Sequence, residues 1–312
     1  MKRVLLTGAT GFIGRYAIPL LLEKGYEVHA VFHAGRPTVT NVPQLFWHQC
    51  NLMDTAQQRR IMEEAKPTHL LHFAWYTIPG KFWTSFENLR WLQASIDMLM
   101  NFTARGGERA VLAGSCAEYD WSYGFYSEDV TPLRPSSLYG ACKHSLQQIL
   151  RFVSQQTGLS SAWGRIFFLY GPYEHQSRLV PTVINSILRG CVAKCTHGRQ
   201  IRDFLFVEDV ASAFVALLES SIEGPINIAS GQPVAIRKIV KWIAEYLGQP
   251  DSVALGALPA PAAEPRFLVA DVSKLKYELS WFPKYSLDKG LEATVTWWQK
   301  NNSFKMDKEC RT

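Results

Sequence analysis

Tyr139 and Lys143 could carry chemistry, because they stand four positions apart in the segment Tyr-Gly-Ala-Cys-Lys. On a helix this spacing places the phenol and the ammonium group on one face. A nearby cation favours the phenolate, which lowers the tyrosine pKa toward a range useful for proton transfer. Ser115 follows an apolar run at residues 109–113, where its hydroxyl could share a substrate oxygen with Tyr139. The three residues together predict a proton-transfer site.

A glycine-rich segment at residues 7–14 reads Thr-Gly-Ala-Thr-Gly-Phe-Ile-Gly and joins an apolar run to an amphipathic one. Gly8 permits a tight turn, Gly11 lets the backbone approach phosphates, and Gly14 lets the helix pack close to the strand. The N-terminus of the following helix attracts a pyrophosphate. The segment predicts a dinucleotide-binding turn, although the spacing is G-x-x-G-x-x-G; a plain strand-to-helix turn is the alternative. The predicted cofactor contacts in this turn are Gly8, Thr10, Gly11, Phe12, Ile13 and Gly14.

The end of the second apolar run bears on which dinucleotide fits. A carboxylate at this point would bind the ribose diol and repel a 2′-phosphate, but the segment Val-Phe-His-Ala-Gly-Arg-Pro at residues 31–37 has none. Arg36, helped by His33, could hold a 2′-phosphate, because a guanidinium matches phosphate geometry. This favours NADP(H) over NAD(H); a solvated loop cation at Arg36 is the alternative.

These residues must be positioned by an alternation of strands and helices in the first half of the chain. Apolar strand-like runs are predicted at 3–7, 28–33, 45–50, 69–74, 109–113 and 161–169. Helices are predicted at 12–24, 55–65, 86–105 and 138–157, and glycines follow the first, third and fourth of them. The alternation predicts an α/β fold with a Rossmann-type, doubly wound parallel sheet.

The second half of the chain has a looser pattern and predicts a smaller, mostly helical C-terminal substrate lobe. Helices are expected at 181–189, 207–220, 237–247, 273–279 and 287–301, separated by stretches with Pro and Gly. The expected division is a dinucleotide domain at 1–169, to which 201–230 returns, a substrate lobe at 170–200 and 231–301, and a short polar tail at 302–312.

Composition excludes several function classes. The 312 residues carry a formal net charge of +6, which is too small for a nucleic-acid footprint. No run reaches about 18 consecutive apolar residues, and the N-terminal run is too short for a secretory signal. We therefore expect no nucleic-acid partner, no membrane association and a cytoplasmic location. Cys191, Cys195 and His197 lack a second ligand pair nearby, so no metal site is predicted.

Several motifs in chain order carry a resemblance to a known family. They are residues 7–14, the triplet His-Phe-Ala at 72–74, residues 114–119, 139–143, the run RIFFLYGP at 165–172, and residues 202–204, 207–210 and 264–266. Over nearly its whole length the chain resembles the extended short-chain dehydrogenase/reductases that act on nucleotide sugars, also called the NAD-dependent epimerase/dehydratase family.

The resemblance implies roles for the residues described first. Ser115 and Tyr139 would bind the reacting oxygen and Tyr139 would pass the proton, while Lys143 would hold the nicotinamide ribose and lower the tyrosine pKa. Hydride would move to or from nicotinamide C4. Further cofactor contacts are implied for Asn51, Leu52, Phe73 and Ala74, with Asn51 in place of the family's usual Asp near adenine.

The resemblance implies two of the expected substrate contacts, and the positions of the others in the sequence suggest the rest. Arg202 and Arg266 would clasp the diphosphate of a nucleotide sugar through bidentate pairing, with salt bridges as the alternative. Cys116 and His175 could supply acid and base for epimerisation; a small packing cysteine and a loop histidine are the alternative. Tyr119 begins an aromatic segment that we expect to form a wall of the substrate site.

Departures from the family pattern favour one activity. A 4,6-dehydratase needs an Asp-Glu pair directly after the hydroxyl residue, and Cys116 with Ala117 stand there instead, so dehydration is not expected. Phe168 replaces the usual Asn before the Tyr-Gly-Pro corner, so the sugar pocket must differ. The leading hypothesis is an NADPH-dependent reductase of a nucleotide-linked keto sugar, a 6-deoxy-4-keto sugar in particular, acting in deoxysugar biosynthesis.

The same residues leave two alternative functions open, and two of the predicted helices indicate an oligomer. An epimerase with tightly held NAD⁺ would use the same triad, and a non-catalytic NADP(H) sensor would use the same fold. The helices at 86–105 and 138–157 are apolar on more than one face, as in family members that pair through four helices. We therefore expect a homodimer.

Overall fold

The computed structural model describes residues 2–34, 37, 42–261 and 264–301, and strands recur along these ranges. In chain order they are β1 (Arg3–Thr7), β2 (Glu27–Phe32), β3 (Leu45–Gln49), β4 (His69–His72), β5 (Arg109–Ser115), β6 (Phe125–Tyr126), β7 (Ser160–Ile166), β8 (Phe168–Tyr170), β9 (Ala193–Cys195), β10 (Ile201–Phe206), β11 (Gly224–Ile228), β12 (Pro233–Ala235), β13 (Val253–Leu255) and β14 (Phe267–Ala270).

The α-helices alternate with these strands. They are α1 (Gly14–Glu23), α2 (Thr55–Ala65), α3 (Glu87–Thr103), α4 (Leu138–Thr157), α5 (Leu179–Leu188), α6 (Val207–Glu219), α7 (Ile236–Tyr246) and α8 (Leu287–Asn301). A 3-10 turn spans Cys116–Glu118, and a π-helical turn spans Lys274–Glu278.

The larger sheet is parallel throughout and has the spatial order β11-β7-β5-β4-β1-β2-β3. The strand order reverses between β1 and β4, which is the switch point of a doubly wound sheet. The predicted α/β fold of Rossmann type is therefore confirmed.

Helices cover both faces of this sheet, and every residue of β5 is accordingly buried. The buried side chains of α1 and α6 form one cluster against the sheet. Those of α2, α3 and α4 form another. The core thus holds the carboxyl ends of the strands in fixed relation to one another.

Helix α4 carries Tyr139 and Lys143, and local signals set its ends. The Ser137 hydroxyl accepts a hydrogen bond from the Gly140 N–H at the start of the helix. Gly158 ends it in the left-handed conformation at φ 76°. Both signals are local in sequence, which explains why the predicted and observed ends of α4 agree.

The C-terminal half contains short strands that the sequence analysis did not predict. A second sheet has the order β12-β10-β14-β6, with β8 also paired to β10, and β9 pairs with β13. Helices α5, α7 and α8 share the third buried cluster. The predicted helix at 273–279 is the π-helical turn, and the predicted strand at 161–169 is divided into β7 and β8.

The chain returns to the larger sheet after residue 206. Strand β10 stays in the smaller sheet, whereas β11 pairs with β7 at the edge of the larger one. The division into two domains stays a prediction, and the expected tail at 302–312 lies outside the described residues. Within the described ranges, no helix is both long and apolar enough to cross a bilayer.

Candidate active site

The candidate site lies at the carboxyl ends of β1, β4 and β5, beside the reversal of strand order. These strands are neighbours and parallel, so the segments that follow them meet at one edge of the sheet. The glycine-rich turn follows β1, Phe73 and Ala74 follow β4, and Ser115 ends β5.

The glycine-rich turn has no room for side chains at its glycines. Gly8 adopts φ +67°, and a Cβ there would lie 3.0 Å from the Ala74 nitrogen. A Cβ on Gly14 would lie 2.2 Å from the Gly8 oxygen, and one on Gly11 would lie 2.9 Å from the same oxygen. The turn therefore brings bare backbone to the start of α1, where no side chain caps the helix. This cradle fits the pyrophosphate of a dinucleotide.

The remaining turn residues support this cradle. Thr10, Phe12 and Ile13 are partly buried. Arg15 donates hydrogen bonds to the carbonyl oxygens of Thr10 at 2.8 Å and Gly11 at 3.1 Å. The predicted contacts of these residues with a cofactor stay predictions.

A buried hydrogen-bonded chain links the ends of β1 and β4. The Thr7 hydroxyl is bonded to His72 Nδ1 at 2.7 Å, and His72 Nε2 is bonded to the Ser95 hydroxyl at 3.0 Å. The Ala74 N–H donates to Thr7 Oγ1 at 3.3 Å. Burial lowers the pKa of His72 to about 3, and the charge of Lys143 acts in the same direction. His72 is therefore a neutral structural link beneath the site.

Ser115 is held by a carboxylate that the sequence analysis did not single out. Its N–H donates to Glu118 at 2.7 Å, and its Oγ accepts from the Ala117 N–H at 3.2 Å. Glu118 also accepts from Trp163 Nε1 and Arg165 Nε, each at 2.9 Å. The side chains of Glu118 and Arg165 are both 0% exposed. The spacing Ser-x-x-Glu, a capping box, is the signal that could have found Glu118.

The structure brings Tyr139 and Ser115 together. Burial raises the pKa of Tyr139, and the nearby Ser115 side chain acts in the opposite direction. The phenol ring lies edge-on to Phe82 at 4.9 Å and to Trp83 at 5.7 Å between centroids. In this environment the phenol is protonated at neutral pH and able to give a proton to a bound oxygen.

Lys143 is buried beneath the site. Its Nζ donates to the Ala113 carbonyl at 2.8 Å and lies 3.8 Å from the centroid of the Trp75 ring. Burial lowers the pKa of Lys143 to about 7. The expectation that Lys143 brings the Tyr139 pKa below its ordinary value is not met in this structure, because burial of the phenol outweighs the contacts that favour its charged form.

Arg178 is a cation near Tyr139 that the sequence analysis missed. Its guanidinium lies 5.3 Å from the Phe82 ring centroid, and its charge contributes to lowering the pKa of Tyr139. The charge of Arg178 also acts to lower the pKa of Glu174. Burial of that carboxyl has the larger effect and raises its pKa to about 8. No motif marked Arg178, because its place depends on Phe82, almost a hundred residues earlier in the chain.

Cys116 and His175 are not hydrogen-bonded to each other. Cys116 is buried beside Ser115, and burial raises the pKa of its thiol to about 12. His175 is exposed, and its Nδ1 is bonded to the N–H and hydroxyl of Ser177 at 3.2 and 2.8 Å. No direct contact between the two side chains therefore supports the expectation that they act as an acid and base pair.

The expected place of Tyr119 on a substrate wall is corrected by the structure. Tyr119 is 1% exposed. Its hydroxyl donates to Asn227 Oδ1 at 2.7 Å and accepts from Arg165 at 3.2 Å. Both partners are buried, so Tyr119 belongs to the core behind Ser115. The aromatic wall near Tyr139 is formed instead by Trp83 and Trp121, whose rings are 5.7 Å apart.

The two predicted phosphate-binding arginines differ in exposure. Arg202 is 2% exposed and donates to Glu264 at 2.8 Å, which is the salt-bridge alternative. Its guanidinium lies 5.4 Å from the Phe168 ring centroid. Arg266 is exposed, and its carbonyl accepts from the Ile201 N–H at 2.8 Å, so the backbones of the two arginine segments are adjacent.

The residues expected near the adenosine of a dinucleotide lie after β2 and β3. His33 is exposed, and its carbonyl accepts from the Gln49 side chain at 3.4 Å. Asn51 Oδ1 accepts from the Met53 N–H at 3.1 Å, and Leu52 is buried. Arg36 lies outside the described residues. In the parts of the chain that are described, no three His, Cys, Asp or Glu side chains gather as a metal site.

A family model and several known proteins match this chain. The model described as the NAD dependent epimerase/dehydratase family matches residues 4–229. A UDP-glucose 4-epimerase of Corynebacterium glutamicum is 26% identical over 310 residues, covering 91% of this chain and 92% of that protein. A dTDP-glucose 4,6-dehydratase of Neisseria meningitidis serogroup B is 26% identical over 355 residues, covering 99% of each.

A solved structure agrees with these matches. The UDP-glucose 4-epimerase of Thermus thermophilus in complex with NAD superposes with a TM-score of 0.82 at 26% identity, covering 96% of this chain and 100% of that one. The similar proteins thus include epimerases and dehydratases, and the expectation against dehydration gains no support from them.

Proposed function

The chain belongs to the NAD-dependent epimerase/dehydratase family, and from this premise we propose that it moves a hydride between a nicotinamide dinucleotide and a carbon of a nucleotide-linked sugar. The observation that carries the proposal is the position of the Tyr139 phenol close to Ser115, at the sheet edge that also bears the glycine cradle. A protonated phenol beside a fixed hydroxyl can bind and protonate one oxygen.

Within this class we propose reduction of a keto sugar, a 6-deoxy-4-keto sugar in particular, with NADPH as the donor. Elimination of water would need an acid and a base next to Ser115. Cys116 has a thiol whose pKa burial raises to about 12, and Ala117 has no titratable group. The segment after β2 also lacks the carboxylate that would oppose a 2′-phosphate.

The roles of the protein side chains in this reaction follow from their contacts. A reduced nicotinamide, when bound, supplies the hydride. Ser115 holds the carbonyl oxygen of the sugar, and Tyr139 gives that oxygen its proton. Lys143 lies on the same helix face as Tyr139 and would hold the nicotinamide ribose. Arg266, which is exposed, and Arg202 would bind the diphosphate once Arg202 exchanges Glu264 for phosphate oxygens.

Epimerisation with retained NAD⁺ is the second candidate. The similarity to UDP-glucose 4-epimerases over more than nine-tenths of the chain favours it. Ser115 and Tyr139 would serve both reactions, because each passes through a keto sugar.

One experiment separates the two candidates. The purified protein is denatured and any released dinucleotide is identified by mass spectrometry; the emptied protein is then titrated with NADPH and NADH. We expect exchangeable binding that prefers NADPH, together with consumption of one NADPH per keto sugar nucleotide reduced. Stoichiometric retained NAD⁺ and interconversion of stereoisomers without net redox change would establish the epimerase instead.

We also propose that the protein forms a homodimer through α3 and α4. Leu89, Met100 and Phe152 on these helices are 46%, 61% and 53% exposed. Leu89 and Met100 share one face of α3, since they are eleven positions, or about three turns, apart. Apolar side chains of this size on neighbouring helices are typical of a surface that another protein covers.

A further inference from the structure

A basic groove lies on the smaller lobe, between the loop after β9 and the first turns of α7. Its volume is about 810 Å³, within the range of small-molecule sites. Its basic lining consists of His197, Arg199, Arg237, Lys238 and Lys241. Glu245 is the acidic residue among the lining side chains. The groove therefore carries a clear excess of positive charge.

The cations of the basic groove are not neutralised within the described ranges. Four of these side chains are exposed and take part in none of the ion pairs found there: Arg199, Arg237, Lys238 and Lys241. The first turn of α7 has no acidic residue and no side-chain cap that would offset them. Like charges gathered in this way repel one another, so a multivalent anion would be attracted to the groove.

An aromatic side chain completes the basic groove. Trp242 lines it, is partly buried, and stacks on Tyr246 with 4.9 Å between ring centroids and 9° between ring planes. Trp242 thus places a flat aromatic ring beside the cations. An aromatic ring can stack on a nucleobase, and the cations can bind phosphates.

The basic groove shares no lining residue with the candidate active site. Along the segment that leads into β10, Gln200 and Arg202 are buried and both donate to Glu264. His197 and Arg199 alternate with them and are exposed. The side chains that line the groove are thus exposed, whereas the arginine proposed for the substrate diphosphate is buried.

We propose that the basic groove is a second binding site, for a nucleoside polyphosphate. The phosphates lie among Arg199, Arg237 and Lys241, and the base lies against Trp242. This proposal does not depend on the proposed reaction, so it can be tested without knowing the substrate of the enzyme.

The test measures binding of ATP and of inorganic pyrophosphate to the full chain by calorimetry at low salt. The double variant Arg237→Glu/Lys241→Glu reverses two exposed charges of the groove. Its matched control, Lys24→Glu/Lys289→Glu, makes the same change in net charge on exposed positions of α1's C-cap and α8. A third variant, Arg266→Ala, alters the candidate active site.

We expect the groove variant to weaken ATP binding at least tenfold, and the control and Arg266→Ala to leave it unchanged. We also expect pyrophosphate to bind more weakly than ATP, and Trp242→Ala to remove that difference. The proposal is overturned by absence of ATP binding, by equal loss in the control, or by loss in Arg266→Ala alone. Equal affinity for pyrophosphate and ATP overturns the assignment of a base to Trp242.

Discussion

At the scale of single residues, the proposed reaction depends on the Tyr139 hydroxyl. Tyr139→Phe keeps the ring against Phe82 and Trp83 but removes the proton donor. We expect kcat to fall by about 10²- to 10⁴-fold, the usual contribution of general acid catalysis, while dinucleotide affinity is retained. Steady-state kinetics and a dinucleotide titration check this, with Tyr277→Phe, an 80%-exposed tyrosine, as the control. Full activity in Tyr139→Phe would refute the role.

Lys143 makes the stability of the protein depend on pH. Burial lowers its pKa to about 7 in the folded state, well below the value of about 10.4 in an unfolded chain. Between these two values the unfolded state binds more protons, so the contribution of Lys143 to stability rises with pH across this window and is least favourable below pH 7.

Melting temperatures of the wild type and of Lys143→Met, which has no charge to bury, are measured from pH 6.5 to 9.5. The wild-type Tm should increase relative to that of Lys143→Met as the pH rises. The exposed Lys289 provides the control, because Lys289→Met should show a constant offset from the wild type. A constant offset for Lys143→Met as well would contradict the buried titration.

Residue roles could be predicted where they depend on local spacing. The pair Tyr139 and Lys143 on one helix face is of this kind. The functions of Glu118 and Tyr119 depend on Arg165, Trp163 and Asn227, which lie 45 or more positions away. The aromatic residues that follow Tyr119 favour a substrate wall, but its hydroxyl is bonded to distant partners in the core, which is why the expectation for Tyr119 is wrong.

At the scale of elements, the glycine-rich turn is defined by close backbone contacts. In Gly14→Ala the new Cβ would lie 2.2 Å from the Gly8 oxygen, so the turn must shift. We expect dinucleotide affinity to fall more than tenfold and the Tm to decrease. Gly25→Ala is the control: it also strains the backbone, at φ +76°, but its Cβ meets nothing within 4 Å. That variant should lose some stability and keep its dinucleotide affinity.

The 3-10 turn after β5 depends on the buried pair of Glu118 and Arg165. Glu118→Gln keeps the size of the side chain but leaves the Arg165 charge buried without its counter-ion. Breaking such a pair costs about 3–5 kcal/mol in the free energy of unfolding. Asp129→Asn, which breaks an exposed pair with Lys274, should cost at most about 1 kcal/mol. Urea unfolding compares the two, and similar losses would refute the importance of burial.

Elements with local signals agree with their predicted bounds, and elements without them do not. Helix α2 begins after Asp54, whose side chain accepts from the N–H groups of Ala56 and Gln57. Strand β8 has three residues and exists because it pairs with β10, more than thirty positions later. Pairing over such distances leaves no periodic pattern in a short segment, so the smaller sheets could not be predicted.

At the scale of the whole molecule, the exposed apolar faces of α3 and α4 predict a dimer. Met100→Glu/Phe152→Glu places charges on both helices, which should convert the dimer to a monomer without unfolding it. Light scattering after size-exclusion chromatography measures the mass, and circular dichroism monitors folding. Tyr277→Glu changes an exposed aromatic residue elsewhere and should remain dimeric. A monomeric wild-type protein would contradict the assembly.

The position of β11 also has a consequence for how the chain acquires its structure during synthesis. This edge strand is made after β8, β9 and β10, which belong to the smaller sheets. A nascent chain that has emerged only to residue 169 presents the outer edge of β7 without a partner, and such open edges invite pairing with other chains. Strand β7 gains its full partner only when residue 228 has left the ribosome. Until then, protection of the β7 edge falls to chaperones or to the speed of translation.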